Sequence, residues 1–159
     1  GVVTTVAGTG SIGSANGTGT SASFYSPHGI TTDGTNLYVA DRANHLIRKI
    51  VISTGVVTTL AGTGSTGYSD GMGTSASFNM PIGITTDGTN LYVSDSSNHI
   101  IRKIIISTGL VRIVAGSATN DMSHNGTGTG AGFTYPNGIT TDGKNLYVTT
   151  GNNWIRVIQ

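Results

Sequence analysis

The chain repeats itself with a period of 54 residues, and this limits its architecture more than any other feature does. Residues 1–54 match residues 55–108 at 40 of 54 positions. Residues 109–159 form a third, more divergent copy. It gains one residue in its long loop and loses one near Gly151, so Ile155 and Arg156 stay in register with Ile47, Arg48, Ile101 and Arg102. A fold built this way is one supersecondary unit copied and stacked, each copy burying its apolar face on the next.

Each unit reads as four short strands. In the first period they cover 29–32, 37–40, 45–52 and 56–60, separated by the polar turns 33–36, 41–44 and 53–55. A loop of about 20 residues, set by the spacing of the turn signals, then leads to Pro81. Three tight hairpins followed by one long connection describe a four-stranded antiparallel meander. The composition agrees with this: Ile and Val number 28, Thr 26 and Gly 25, against only 6 Leu. β-branched side chains suit a pleated surface, and Gly suits the turns between strands. No window carries sustained helical periodicity. Repeated radially, such a meander makes a β-propeller.

The repeat residues resemble those of NHL-repeat propellers. The resemblance rests on Ala61, Gly62, Asp70, Gly71, Ala76, Ser77, Phe78 and Pro81 in the loop. It continues with Asn90-Leu91-Tyr92-Val93-Ser94-Asp95 and with Asn98-His99 followed by Ile100 to Ile104. The triplet Asn44-His45-Leu46 survives intact. The third copy departs, with Thr150 where the others have Asp41 and Asp95, and with Asn153-Trp154 in place of His-Leu. The resemblance implies an all-β propeller, commonly of six blades.

Three repeats are too few to close a ring, since propellers typically have four to eight blades. The chain opens on a fourth strand, residues 2–6, and closes on a third strand, residues 155–159. The expectation is a half-propeller with repeats at about 1–54, 55–108 and 109–159. Two copies would form a homodimeric six-bladed ring, each N-terminal strand completing the last blade of the other subunit.

Charged residues make up 9% of the chain, where about a quarter is usual. Net charge is +1, and no basic stripe suggests nucleic acid. No apolar run approaches a membrane span or resembles a signal peptide. The Ser, Thr, Asn and Gly richness with little Lys suits a secreted or periplasmic bacterial protein. Without Cys there is no thiolate nucleophile and no Cys-ligated zinc.

Several repeated side chains invite a chemical reading. Arg48, Arg102 and Arg156 recur in every copy and are read as anchors for turn carbonyls or a neighbouring Asp; an anion-binding ring is the competing view. Asp33, Asp87 and Asp142 open the turn after the innermost strand. They are read as turn caps, with oxygen ligation of a hard cation as the competing view. His45 and His99 sit one per blade, and no zinc-binding spacing exists. Gly8 to Gly13 and Gly62 to Gly67 match Gly-x-Gly-x-x-Gly but do not open a helix, so no dinucleotide cofactor is expected. Phe24, Phe78 and Phe133 are read as plugs between blades.

Function is expected where repeats differ on the fixed scaffold. His28, Ile82 and Asn137 share one position just before the innermost strand, with Tyr25 and Tyr135 close by. These are the candidate binding residues for a protein, glycan or small-molecule ligand at the channel end. The expected function is a noncatalytic scaffold or interaction module, with no cofactor and no catalytic residue. The alternative is an enzyme resembling the six-bladed metal-dependent lyases and lactonases.

Overall fold

The computed structural model describes residues 1–159 as three antiparallel sheets arranged in series. The first blade runs β1 (Gly17–Thr18), β2 (Pro27–Thr32), β3 (Asn36–Asp41), β4 (Leu46–Val51) and β5 (Val56–Ala61). Its spatial order is β1-β5-β4-β3-β2. The second blade repeats this with β6 (Gly71–Met72), β7 (Pro81–Thr86), β8 (Asn90–Asp95), β9 (Ile100–Ile105) and β10 (Leu110–Gly116). The third holds β11 (Pro136–Thr141), β12 (Leu146–Thr150) and β13 (Ile155–Ile158).

The four-stranded meander is therefore corrected in one respect. In the first two blades the long loop doubles back to add a fifth, two-residue strand outside the fourth, pairing Gly17 with Val57 and Gly71 with Val111. Gly makes this possible, because a Cβ at Gly17 or Gly71 would lie about 3.0 Å from backbone atoms of Ser21 or Ser75. The third strand is also shorter than expected. His45 and His99 stand in the left-handed region (φ 56° and 60°), each closing a 3-10 turn, and the strand begins one residue later. In the third blade Asn153 takes that conformation (φ 67°).

The innermost strands β2, β7 and β11 lie against one another. Each carries a bulge. Pro27 pairs with Asp41 but Ile30 with Val39, so His28 and Gly29 are the irregular residues; β7 and β11 repeat the pattern at Ile82-Gly83 and Asn137-Gly138. In the first two blades the Gly of the bulge serves close approach. A Cβ at Gly29 would collide with the Ile82 carbonyl, and one at Gly83 with the Asn137 carbonyl.

The core lies between blades. Tyr38, Ala40, Ile47 and Ala61 of the first blade meet Phe78, Ile84, Leu91, Val93 and Ile104 of the second. Between the second and third, Ile101 and Ala115 meet Phe133, Leu146 and Val148. Phe78 and Phe133 are fully buried plugs, as their sequence position suggests. A smaller cluster of Ala22, Val39, Ile50 and Val57 sits on the open face of the first blade.

Candidate functional site

The repeated charged residues show which side chains the scaffold already engages. Arg48 is wholly buried. Its Nη1 donates to the Ser23 carbonyl (3.0 Å) and to Asp41 (2.9 Å); its Nη2 donates to the Ala15 carbonyl and to Asn16 Oδ1 (both 3.0 Å). Arg102 repeats this with Ser77, Asp95, Ser69 and Asp70. Arg156 keeps three of the contacts, to Gly132, His124 and Asn125, and lacks the Asp because Thr150 stands there. Each guanidinium also lies 5.1 Å from a Phe ring centre, over Phe24, Phe78 and Phe133. The Arg is thus a staple binding the long loop to the third strand, in agreement with its reading as an anchor of carbonyls. Burial pushes the Asp95 carboxyl up to about 6, against the bonds it accepts from Asn79, Asn98 and Arg102.

Asp33, Asp87 and Asp142 cap their own turns. Asp33 Oδ1 accepts from the backbone N–H groups of Thr35 and Asn36, and Oδ2 accepts from the Tyr38 hydroxyl at 2.8 Å. Partial burial would raise the Asp33 pKa, but the bonds from Asn36, Tyr38 and Thr35 outweigh it and hold the carboxyl well below its usual range. Asp87 is lowered by the same set of bonds. Asp142, bonded to the backbone of Asn145 and Lys144 and to Tyr147, falls to about 2. Burial, reinforced by Asp33, pushes the Tyr38 hydroxyl up to about 12.

One role of the histidines escapes sequence reasoning. His45 Nδ1 accepts a bond from the Met80 backbone N–H of the next blade (3.1 Å), and His99 Nδ1 accepts from that of Tyr135 (3.2 Å). An N–H donor requires the neutral ring with its proton on Nε2. Burial lowers both pKa values, opposed at His99 by Asp121. The donor is a backbone N–H that Met80 and Tyr135 supply equally well, so the identity of the partner residue leaves no signal in the sequence. His124 bonds within its own loop, to the Met122 and Gly130 carbonyls.

The variable positions lie on this frame as follows. His28, Ile82 and Asn137 fall on the bulges of adjacent innermost strands, released there from the regular ladder. The contacts of Gly29 with Ile82 and of Gly83 with Asn137 put the three at one level. His28 and Asn137 are exposed and Ile82 is half-buried. Tyr25 and Tyr135 are exposed in the loops entering the first and third innermost strands, with the second blade between them. Tyr135 packs edge-on against His99 at 4.6 Å. It also shares positive φ with Ser26 and Met80 at the same repeat position, so that conformation belongs to the scaffold turn. No cluster of three or more His, Asp or Glu side chains forms that could hold a metal ion.

Comparison with known proteins follows the same pattern. Residues 24–50 match the NHL repeat model. The chain is 38% identical over 107 residues to human NHL repeat-containing protein 2, a match covering 64% of this chain and 15% of that protein. It thus spans only about a seventh of the relative's length. Among solved structures, a structural-genomics protein from Bacteroides thetaiotaomicron superposes with a TM-score of 0.71 at 29% identity, over 77% of this chain and 32% of that one. An auxiliary nutrient binding protein from the same organism superposes at 0.68 with 21% identity, over 87% and 39% respectively. Three in-register repeats, the Asn-His turn and the serial antiparallel blades converge with these matches: the chain carries the NHL repeat and is similar to NHL-repeat β-propeller proteins.

Proposed function

We propose that the chain is a noncatalytic propeller scaffold that assembles with a second copy into a six-bladed ring and presents a binding face at the bulged ends of its innermost strands. The observation that carries the binding face is the placing of His28, Ile82 and Asn137. They are three different side chains at three equivalent bulges, and a bulge re-aims a side chain out of the ladder. A rigid frame that carries different side chains at one level suits recognition of a protein, glycan or small molecule. The noncatalytic reading is supported by what the polar groups already do: the repeated Asp cap turns, Asp41 and Asp95 hold Arg48 and Arg102, and His45 and His99 accept backbone bonds. No observation favours the metal-dependent lyase or lactonase alternative.

The test is a glycan and peptide array probed with the intact chain, repeated with His28→Ala and Tyr135→Ala. Hits that weaken at least tenfold with His28→Ala while melting is unchanged support the face. Hits indifferent to both variants place binding elsewhere.

A further inference from the structure

We infer that His45 and His99 are positioning residues for the proposed binding face: each neutral ring holds the amide of the rim residue of the next blade, Met80 or Tyr135, and releases it on taking up a proton. The inference rests on the binding face proposed above and names what fixes it and what loosens it.

The rim is an uncommon piece of backbone. Ser26, Met80 and Tyr135 precede Pro27, Pro81 and Pro136, where the innermost strands begin, and hold φ of 52°, 52° and 45°. L residues rarely take that left-handed conformation, and none of the three is Gly. Such backbone gathers at ligand-binding sites. Two residues further on stand the bulge positions His28, Ile82 and Asn137. The rim residue therefore sets the direction in which the chain enters the bulge.

Side chains from two blades hold the second rim. Asp95, of the same blade, accepts from the Asn79 N–H at 2.7 Å, and His45, of the first blade, accepts from the Met80 N–H at 3.1 Å. The third rim keeps one of these two bonds. Thr150 stands where Asp95 would, while the Tyr135 N–H still donates to His99 Nδ1 at 3.2 Å. The His99 ring also meets the Tyr135 ring edge-on, with centres 4.6 Å apart. One side chain thus fixes both the backbone and the ring of Tyr135, a candidate binding residue.

The ring is an acceptor only while neutral. A protonated imidazole carries N–H on both nitrogens, so no rotation of the ring returns a lone pair to the Met80 or Tyr135 N–H. Both rings are half-buried, and burial favours the neutral form. Asp121, in the long loop of the third repeat, is the charged group that acts on His99, and it favours the protonated ring. His45 shares its turn with Arg42, and burial is what acts on it. Asp95, four residues before His99, has its carboxyl pushed up to about 6 and protonates over the same interval. Its rim bond is to Asn79, on the second rim, so Tyr135 on the third reports on His99 without a carboxylate between them.

The test follows amide resonances and hydrogen exchange of the intact 159-residue chain from pH 8 to pH 5, beside His99→Asn and His99→Gly. Asn suits the left-handed turn, as Asn153 does, and its Oδ1 stands as many bonds from the backbone as the histidine Nδ1 but does not titrate. Gly suits the turn and offers no acceptor. In the parent chain the Tyr135 amide should shift with the His99 ring and lose protection roughly tenfold relative to the amide of buried Ile104. His99→Asn should hold the amide in place across the range, and His99→Gly should show the acid behaviour already at pH 8. The glycan and peptide array is probed at pH 7.5 and 5.5. Hits that depend on Tyr135 should be lost at the lower pH with the parent chain and kept with His99→Asn. A Tyr135 amide that stays in place while the His99 ring titrates, or that moves equally in His99→Asn, overturns the positioning role and leaves the face standing. An amide that follows the ring while array hits are indifferent to Tyr135→Ala overturns the face, and with it the role assigned to the ring.

Discussion

Arg48 and Arg156 hold the same repeat position and the same loop carbonyls, but only Arg48 has a carboxylate and complete burial. Removing the guanidinium from Arg48 strands the buried Asp41 charge, which costs roughly 3–5 kcal/mol. Arg48→Leu is therefore expected to be far more damaging than Arg156→Leu, where neutral acceptors partly reach water and the loss is about 1 kcal/mol; urea denaturation of both variants reads the difference. The histidines give a pH dependence. Burial lowers the folded pKa of His45 and His99 below 6.5, so the unfolded chain binds more protons in the interval beneath 6.5. Their contribution to stability is complete above pH 6.5 and is lost as pH falls through the interval down to the folded values. Their part of the melting profile should fall between pH 7.5 and 5.5, against an opposite contribution from Asp95, whose carboxyl, pushed up by burial to about 6, takes up a proton in the folded state over the same interval. The drop should flatten in His45→Asn/His99→Asn, since Asn153 shows that Asn adopts this turn. A wild-type profile parallel to that of the double variant would remove the histidines from the account. At this scale the sequence discloses which residues recur and little of what they touch. The Asp33 and Asp87 caps are legible because their partners lie two to five positions away. The His45–Met80 bond crosses blades and is not.

Among elements, the innermost strands show the same division between what is local and what is not. Their existence follows from the alternation of Ile, Thr, Val and Tyr between turn signals, and all nine of the hairpin strands in the three copies fall close to their expected places. The bulge at 28–29 and the two-residue outer strands were not legible. The first is set by how closely the next blade packs, and the second by a loop that folds back onto a strand nearly 40 residues away. The bulge matters because it is the reason the variable residue is free to point away from the ladder. It also explains the Gly within it. Gly83→Ala would force the second and third innermost strands apart, since its Cβ meets the Asn137 carbonyl backbone, which cannot swing aside. Separating packed strands is expected to cost roughly 2–3 kcal/mol. Gly138 stands at the same repeat position but meets only the Thr149 hydroxyl, at 3.2 Å, a side chain able to turn away. Gly138→Ala should then change the stability of a single chain by less than about 1 kcal/mol. Thermal melting of the two variants under matched conditions checks the contrast, and equal losses would assign both glycines to local backbone needs rather than to blade contact.

For the molecule as a whole, the governing fact is that identical side chains are buried in the middle of the arc and exposed at its ends. Ile84 is 6% exposed against the first blade, whereas Ile30, its copy one repeat earlier, is 59% exposed. Their chemistry and strand position are the same, so the difference measures the neighbour and nothing local. Glu at position 84 would place a carboxylate among Tyr38, Leu91 and Val93 without a cation, at a cost of roughly 4 kcal/mol or more, and the chain should fail to fold stably. Ile30→Glu has two distinct outcomes. In a lone chain the carboxylate reaches water and the melting temperature stays within about 2 °C of the parent. In the closed pair proposed above it stands against the second copy's Tyr147 and Ile155, the repeat copies of the Tyr38 and Ile47 that meet Ile84, so the mass should fall to that of one chain while the fold survives by circular dichroism. Retention of the pair with Glu at position 30 would mean that the open face of the first blade does not meet the second copy, however well its residues copy the interface beside it.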